Sequence, residues 1–313
     1  MADNTKIEWT DATWNPITGC SIVSPGCTNC YAMALAGTRL KNHDSRKGLT
    51  KQVNGKHVWT GEVRFNAQWL DQPLRWAKPR MIFVCAHGDL FAEGVPDEWL
   101  DQIFAVMALA PQHTFQVLTK RPERMREYLR GDENASNDEA HQPHQRISDA
   151  AYKIIGNPGR FSPIALHLRS LCEASEPPLP LPNVWLGTSV EDQKRADERI
   201  PILLDTPAAI RWISAEPLLG EVRLSGVSED RKRTWDWLTG MNGVMHPDGP
   251  DFDYGSKLDW VVAGGESGHD ARPMHPDWAR VMRDECAAAG VPFLFKQWGE
   301  WTEACSEFRE ADG

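Results

Sequence analysis

The chain of 313 residues has no apolar run near the ~18 residues that a membrane helix needs. It has no internal repeat, which excludes a solenoid or propeller. Its first residues, Met1-Ala2-Asp3-Asn4-Thr5-Lys6, are polar and lack the apolar segment of a signal peptide, so a cytoplasmic location and no membrane partner are expected. Positive charge is also short. The chain carries 34 Lys and Arg against 44 Asp and Glu, a net charge of −10 with His neutral. Such a surface does not draw polyanions as a whole, which leaves nucleic acid only a local basic groove. The seven cysteines are odd in number and argue against a disulfide framework.

What is present is ordinary for a globular chain: 41 % apolar and 25 % charged residues. That excludes disordered, collagenous and coiled-coil classes, and the length supports a large core without staples. Tryptophan is abundant: 14 residues, roughly three times common usage, most of them expected in the core. Short apolar runs read as strands buried on both faces: Met81–Cys85, Thr114–Leu118, Val184–Gly187, Ile210–Ile213, Trp260–Ala263 and Phe293–Phe295. Helical spacing follows Pro96, read as an N1 proline, with Trp99, Leu100, Ile103, Phe104, Val106 and Met107. Further helices are expected over Arg121–Arg130, Glu191–Leu204 and Pro276–Ala289, the last closed by Gly290. Strands alternating with helices predict an α/β fold. The expected architecture is a parallel (β/α) barrel, partial or near-complete, forming one domain over 1–313. Long loop insertions are expected near 37–66, 130–183 and 225–257.

The cysteines are unevenly spread. Cys20, Cys27 and Cys30 form C-x6-C-x2-C, with Pro25-Gly26 supplying a turn between the first two. Thiolates bind zinc or iron because both favour sulfur ligands. Three ligands leave one coordination position open, which suits chemistry at the metal. A structural zinc completed by His43, His57 or Cys85 is a second reading, and a chance clustering of thiols a third.

A three-Cys cluster ahead of a βα barrel resembles the radical S-adenosylmethionine (radical SAM) superfamily. More closely, the chain resembles an uncharacterised, phage-associated three-Cys-motif family within or near it. The segments carrying this are Trp9-Thr10-Asp11-Ala12-Thr13-Trp14-Asn15-Pro16, the Cys triplet with Tyr31-Ala32, Leu118-Thr119-Lys120-Arg121-Pro122 and Leu186-Gly187-Thr188-Ser189-Val190-Glu191. They continue through Ser214-Ala215-Glu216-Pro217-Leu218-Leu219-Gly220, Gly264-Gly265-Glu266-Ser267-Gly268, Arg272-Pro273-Met274 and Phe295-Lys296-Gln297-Trp298-Gly299-Glu300-Trp301. The pattern departs from the superfamily's usual C-x3-C-x2-C, with its aromatic residue before the third Cys. Here the first gap is six residues, Asn29 precedes Cys30 and Tyr31 follows it. The resemblance implies a 4Fe–4S cluster on Cys20, Cys27 and Cys30, with S-adenosyl-L-methionine on its fourth iron. It further implies an external electron donor such as a flavodoxin or ferredoxin, and hydrogen abstraction by a 5′-deoxyadenosyl radical. The phage association adds a nucleotide or nucleic-acid substrate as an expectation.

In a parallel barrel, ligands gather at the C-terminal ends of strands. Residues there are therefore site candidates, each with a plain structural role beside it. Cys85 is a candidate hydrogen donor or a small buried residue, and His87 or Asp89 a candidate acceptor for the cofactor's ammonium. Thr119-Lys120-Arg121 offers a cation for an anion, or a helix cap. Thr188 and Ser189 offer hydroxyls for ribose, or caps. Ser214 and Glu216 follow the fifth strand, where an idle buried acid would be costly. Gly264, Gly265 and Glu266 follow the next, two glycines permitting close approach to a ligand. Lys296 closes the series. Cys85, Glu216 and Lys296 are thus the catalytic candidates; Asp89, Thr188, Ser189, Ser214, Glu216, Gly264, Gly265 and Glu266 are the cofactor-binding ones. Trp298 and Trp301 are expected in the core, as are Cys172 and Cys286; Cys305 tells little. The alternatives are a metal-dependent barrel hydrolase or nuclease using Asp89, Glu191, Glu216 and Glu266, with a structural Cys site, or a non-catalytic iron–sulfur or zinc protein.

Overall fold

Short apolar runs ending in polar tips become strands, and helices alternate with them along much of the described chain. A computed structural model describes residues 5, 7–131, 142–156, 179–228, 230–246 and 248–301. The strands in chain order are β1 (Ala12–Trp14), β2 (Ile17–Thr18), β3 (Thr50–Val53), β4 (Lys56–Trp59), β5 (Arg64–Phe65), β6 (Met81–Val84), β7 (Thr114–Thr119) and β8 (Val184–Ser189). They continue as β9 (Ile210–Ala215), β10 (Ser225–Val227), β11 (Arg233–Asp236), β12 (Met241–His246), β13 (Gly249–Tyr254), β14 (Trp260–Gly264) and β15 (Phe293–Gln297). The helices are α1 (Tyr31–Gly37), α2 (Asp97–Leu109), α3 (Pro122–Arg130), α4 (Pro143–Ile155), α5 (Gln193–Leu204) and α6 (Pro276–Ala289).

One seven-stranded sheet runs in the order β1-β6-β7-β8-β9-β14-β15. Its pairs β1–β6, β6–β7, β7–β8 and β14–β15 are parallel, consistent with a partial parallel barrel. Each of the six expected strands is present. Five run past the ends of their apolar runs, while the first stops at Val84, one residue short of the expected Cys85. Thr119 still pairs with Thr188, and Gly264 with Gln297. Thr188, Ser189, Ser214, Gly264 and Lys296 are therefore the last residues of strands rather than loop residues beyond them.

The helices need small corrections. Pro96 is the N-cap residue of α2, not its first helical residue; Asp97 and Glu98 open the first turn, where the dipole favours acids. The third expected helix begins at Gln193 rather than Glu191, with the Asp192 carboxylate accepting the Arg195 N–H at 2.9 Å. Gly290 closes α6 in the left-handed conformation, as expected.

The expected insertions hold regular structure. Within 37–66, β3 and β4 form an antiparallel hairpin and β5 pairs with β2. Within 130–183 lies α4, which buries Ile147, Ala150 and Ala151 at helical spacing. Within 225–257, β10 to β13 make a four-stranded antiparallel sheet where only a loop was expected. Every residue of β13 is exposed, so no alternation betrays it.

The chain divides into two compact units. The first comprises Met1–Val23, Ala32–Thr188 and Pro201–Trp212. Its core includes Trp14, Ile82, Phe104, Phe115 and Trp212, each almost fully buried. Trp9 packs edge-on against Phe83 and Trp212 at 4.9 and 5.3 Å between ring centroids, the favoured aromatic geometry. The second comprises Ser24–Tyr31, Ser189–Ile200 and Ile213–Gly313. It buries Ala215, Leu218, Leu224, Val261, Val262, Met282 and Cys286. Among the described residues, no helix is long and apolar enough to cross a membrane.

Candidate functional site

In the first unit, the chain leaves β2 through Gly19, whose φ of +96° only glycine tolerates well. A Cβ there would also lie 2.2 Å from the Glu62 carbonyl oxygen. Cys20 follows, and its sulfur accepts a hydrogen bond from Arg121 Nη1 at 3.6 Å. Arg121 sits just after β7 and is buried. It also donates to Asp89 Oδ2 at 2.9 Å, to Glu93 Oε1 at 2.8 Å and to the Ser21 carbonyl at 3.3 Å. Burial opposes its charge, but the Glu93 hydrogen bonds and the negative groups of Asp89, Cys20 and Glu93 outweigh that and raise its pKa. The reciprocal effect holds Glu93 at about 2, chiefly through its hydrogen bond from Arg121.

Asp89 is not available as an idle acceptor. Its carboxylate takes donors from Phe91 N (2.9 Å), Thr119 Oγ1 (2.7 Å), Lys120 N (3.1 Å) and Arg121. Thr119 caps no helix in the expected sense; its hydroxyl accepts the Arg121 N–H at 2.9 Å. Thr188 donates its hydroxyl to the Thr119 carbonyl at 2.9 Å and is fully buried. Cys85 follows β6 with a φ of +58° and is 3 % exposed. Burial pushes its thiol up to about 12, so the S–H form persists at neutral pH. His87 is pushed down to about 4 by burial and then by the charge of Arg46.

In the second unit, Cys27 ends a short 3-10 turn, Pro25–Cys27, and Cys30 immediately precedes α1. Two carboxylates meet this stretch. Glu191 is 0 % exposed. It accepts the Gly26 N–H at 3.1 Å and Arg199 Nη1 at 3.0 Å. Arg199 also donates to the Ser189 carbonyl at 2.8 Å. Glu266, likewise buried, accepts Asn29 Nδ2 at 3.0 Å, Arg272 N at 2.9 Å and Arg272 Nε at 2.8 Å. Arg272 donates in turn to the Pro25 carbonyl at 3.0 Å, and Asn29 to that of Asp270 at 2.8 Å. Burial alone would raise the Glu266 pKa, but the bonds from Arg272 and Asn29 lower it overall.

Beside these, Glu216 follows β9 and accepts Lys296 Nζ at 2.6 Å and Gln297 Nε2 at 3.3 Å, all on Oε1. Gln297 also donates to Ser267 Oγ at 2.6 Å. Ser214 is buried, and its carbonyl accepts the Val190 N–H at 2.9 Å. The glycines of this strand tip face protein rather than open space. A Cβ on Gly265 would lie 1.9 Å from the Trp298 carbonyl oxygen, and one on Gly264 would meet Gln297 and Glu216 at ordinary contact distance. Trp298 packs edge-on against Phe295 at 4.6 Å. Trp301 is not core: it is 52 % exposed and donates its indole N–H to the Ala271 carbonyl. Cys286 is buried on α6 as expected; Cys172 and Cys305 lie outside the described residues.

The four acids considered as metal ligands each sit in an ion pair instead: Asp89 with Arg121, Glu191 with Arg199, Glu216 with Lys296 and Glu266 with Arg272. Arg199 and Glu93 were not among the sequence candidates; Asn29 entered only as the residue before Cys30, and Arg272 only as part of a recurring segment. Arg272-Pro273-Met274 was the available signal; nothing distinguishes Arg199 from other charged residues of its helix such as Lys194, Arg195 and Glu198. Cys20, Cys27 and Cys30 are of intermediate exposure, and none of them is in a disulfide. A soft metal or iron–sulfur cluster takes that donor set, and a guanidinium beside one sulfur suits a thiolate ligand. Among the described residues, no group of three His, Cys, Asp or Glu side chains is gathered as a cation site requires. No curated protein and no solved structure matches the chain. A family model matches residues 4–312, and the chain belongs to that family, DUF5131, described as a protein of unknown function.

Proposed function

We propose that the chain is a radical SAM-type enzyme whose Cys20, Cys27 and Cys30 hold a 4Fe–4S cluster. The observation that carries this reading is a set of three half-buried cysteines within eleven residues, none of them in a disulfide, with buried carboxylates engaging the stretch around two of them. When bound and reduced by an external donor of flavodoxin or ferredoxin type, the cluster supplies the electron that cleaves S-adenosyl-L-methionine and starts hydrogen abstraction.

The chain's own groups have separate tasks in this reading. Arg121 sets a fixed positive charge 3.6 Å from the Cys20 sulfur and offsets the charge of a thiolate ligand. Asp89 and Glu93 keep that guanidinium in place. Lys296 holds a proton against Glu216 Oε1, while Glu216 Oε2 has no hydrogen-bond partner among the described residues and can accept from a ligand. Cys85 keeps its S–H and can give a hydrogen atom to a substrate radical. Thr188, Asp89 and Glu266 have protein partners and act by shaping the strand ends. A nucleotide or nucleic acid is proposed as substrate on the strength of the resemblance, and a cytoplasmic location with it.

The test is anaerobic reconstitution with iron and sulfide. The expected product is a brown protein with about four irons per chain. With dithionite and S-adenosyl-L-methionine it should form 5′-deoxyadenosine, and Cys27→Ala should abolish both properties. A colourless protein that keeps one tightly held zinc after the same treatment overturns the reading.

A further inference from the structure

Residues next to Cys27 and Cys30 are gripped by buried acids that do not bond the two sulfurs themselves. The Gly26 N–H, one residue before Cys27, donates to Glu191. The Asn29 amide, one residue before Cys30, donates to Glu266. Each carboxylate has an arginine as counter-ion, and a buried carboxylate without one is strongly destabilising. Gly26 is fitted to this contact, since a Cβ there would lie 3.1 Å from the Glu191 carboxyl carbon. The stretch completes its own turns with Cys27 N–H to Ser24 O (2.9 Å), Thr28 N–H to Pro25 O (3.2 Å) and Cys30 N–H to Cys27 O (3.4 Å). With the Gly26 bond, four of its backbone N–H groups have protein acceptors. The Ser24 hydroxyl, 3.9 Å from the Cys27 sulfur, is a weak contact that a metal could replace.

We propose that Glu191 and Glu266 are positioning residues for Cys27 and Cys30. They fix the stretch before metal arrives, so that loading the thiols requires no folding of the loop. The acids act through Gly26 and Asn29 and touch neither metal nor substrate. This rests on the cluster reading for what the thiols hold, but the preorganisation itself is a property of the metal-free chain.

The test uses the full-length, reduced, metal-free protein and the variants Asn29→Ala and Gly26→Ala. Hydrogen exchange of residues 24–31 is measured, along with iodoacetamide alkylation of Cys27 and Cys30, with Cys20 as internal reference. Losing the Asn29 hydrogen bond to Glu266, or pushing Glu191 off Gly26 with an added Cβ, should raise exchange and relative alkylation roughly five- to tenfold. Thermal midpoints should stay within about 2 °C of the parent for Asn29→Ala. Reconstituted Asn29→Ala should retain less iron and show a broadened cluster EPR signal. Unchanged protection of 24–31 in Asn29→Ala overturns the proposal, whatever Gly26→Ala does. A parent protein that takes up no iron overturns the cluster reading instead, and the exchange and alkylation results still decide this one.

Discussion

Cys20 and the Cys27–Cys30 pair are held in opposite ways. At Cys20 a charged network touches the sulfur itself: Arg121 donates to it and is fixed by Asp89 and Glu93. At Cys27 and Cys30 the charged groups touch only the neighbouring residues, through Gly26, Asn29 and Pro25. The first arrangement sets the electrostatics of one thiol; the second sets the place of two others. Changes in one region should therefore alter the chemistry of a thiol, and changes in the other its position.

The largest effect is expected from Glu191→Ala. It leaves Arg199 buried without its counter-ion and the Gly26 N–H without its acceptor. A loss of about 3–5 kcal/mol is expected in urea unfolding. Faster alkylation of Cys27 and Cys30 should accompany it, with Cys20 unchanged. A stability within 1 kcal/mol of the parent, roughly the size of an exposed pair, would place Glu191 among surface acids. Arg121→Met comes next. Asp89 keeps its three other donors, so about 1.5–3 kcal/mol is expected. Here the Cys20 alkylation rate should change while that of Cys27 and Cys30 does not; equal changes at all three would erase the comparison.

Acidification gives the smallest effect and separates the groups by direction. Glu93 is depressed to about 2 from 4.5. Its contribution is complete above about 4.5 and is lost as pH falls toward 2. Glu266 is depressed as well, so its grip is likewise lost only in acid. His87 is depressed to about 4 from 6.5. The unfolded chain binds that proton first, so stability begins to fall below pH 6.5 and this loss is complete near pH 4. NMR titration should place the Glu93 midpoint near 2 and the His87 midpoint near 4; ordinary midpoints for either would contradict the networks described.

The parallel strands were legible because the runs are continuously apolar, as in Met81–Val84 and Trp260–Ala263, the latter buried on both faces beyond Trp260. Their ends were not, because the strands continue into polar residues such as Thr188, Ser214 and Lys296. The β10–β13 sheet was not legible either, since the exposed Gly249–Tyr254 strand carries no buried face. At the candidate site, the Cys triplet and the acids at strand tips could be picked out by residue type and position. What each acid does could not. Glu266 lies 237 positions from Asn29, and Glu191 lies 165 from Gly26. No local pattern encodes such a pairing, and the arginines that complete it sit on helix and loop positions where a charged residue is unremarkable.

The most direct measurement is the low-temperature EPR spectrum of the anaerobically reconstituted, dithionite-reduced protein, before and after S-adenosyl-L-methionine is added. The expected result is a one-electron signal of a reduced 4Fe–4S cluster that changes shape when the cofactor is added. It should be absent from Cys20→Ala, Cys27→Ala and Cys30→Ala. A spectrum without any cluster signal from protein whose three thiols titrate as reduced would contradict the account.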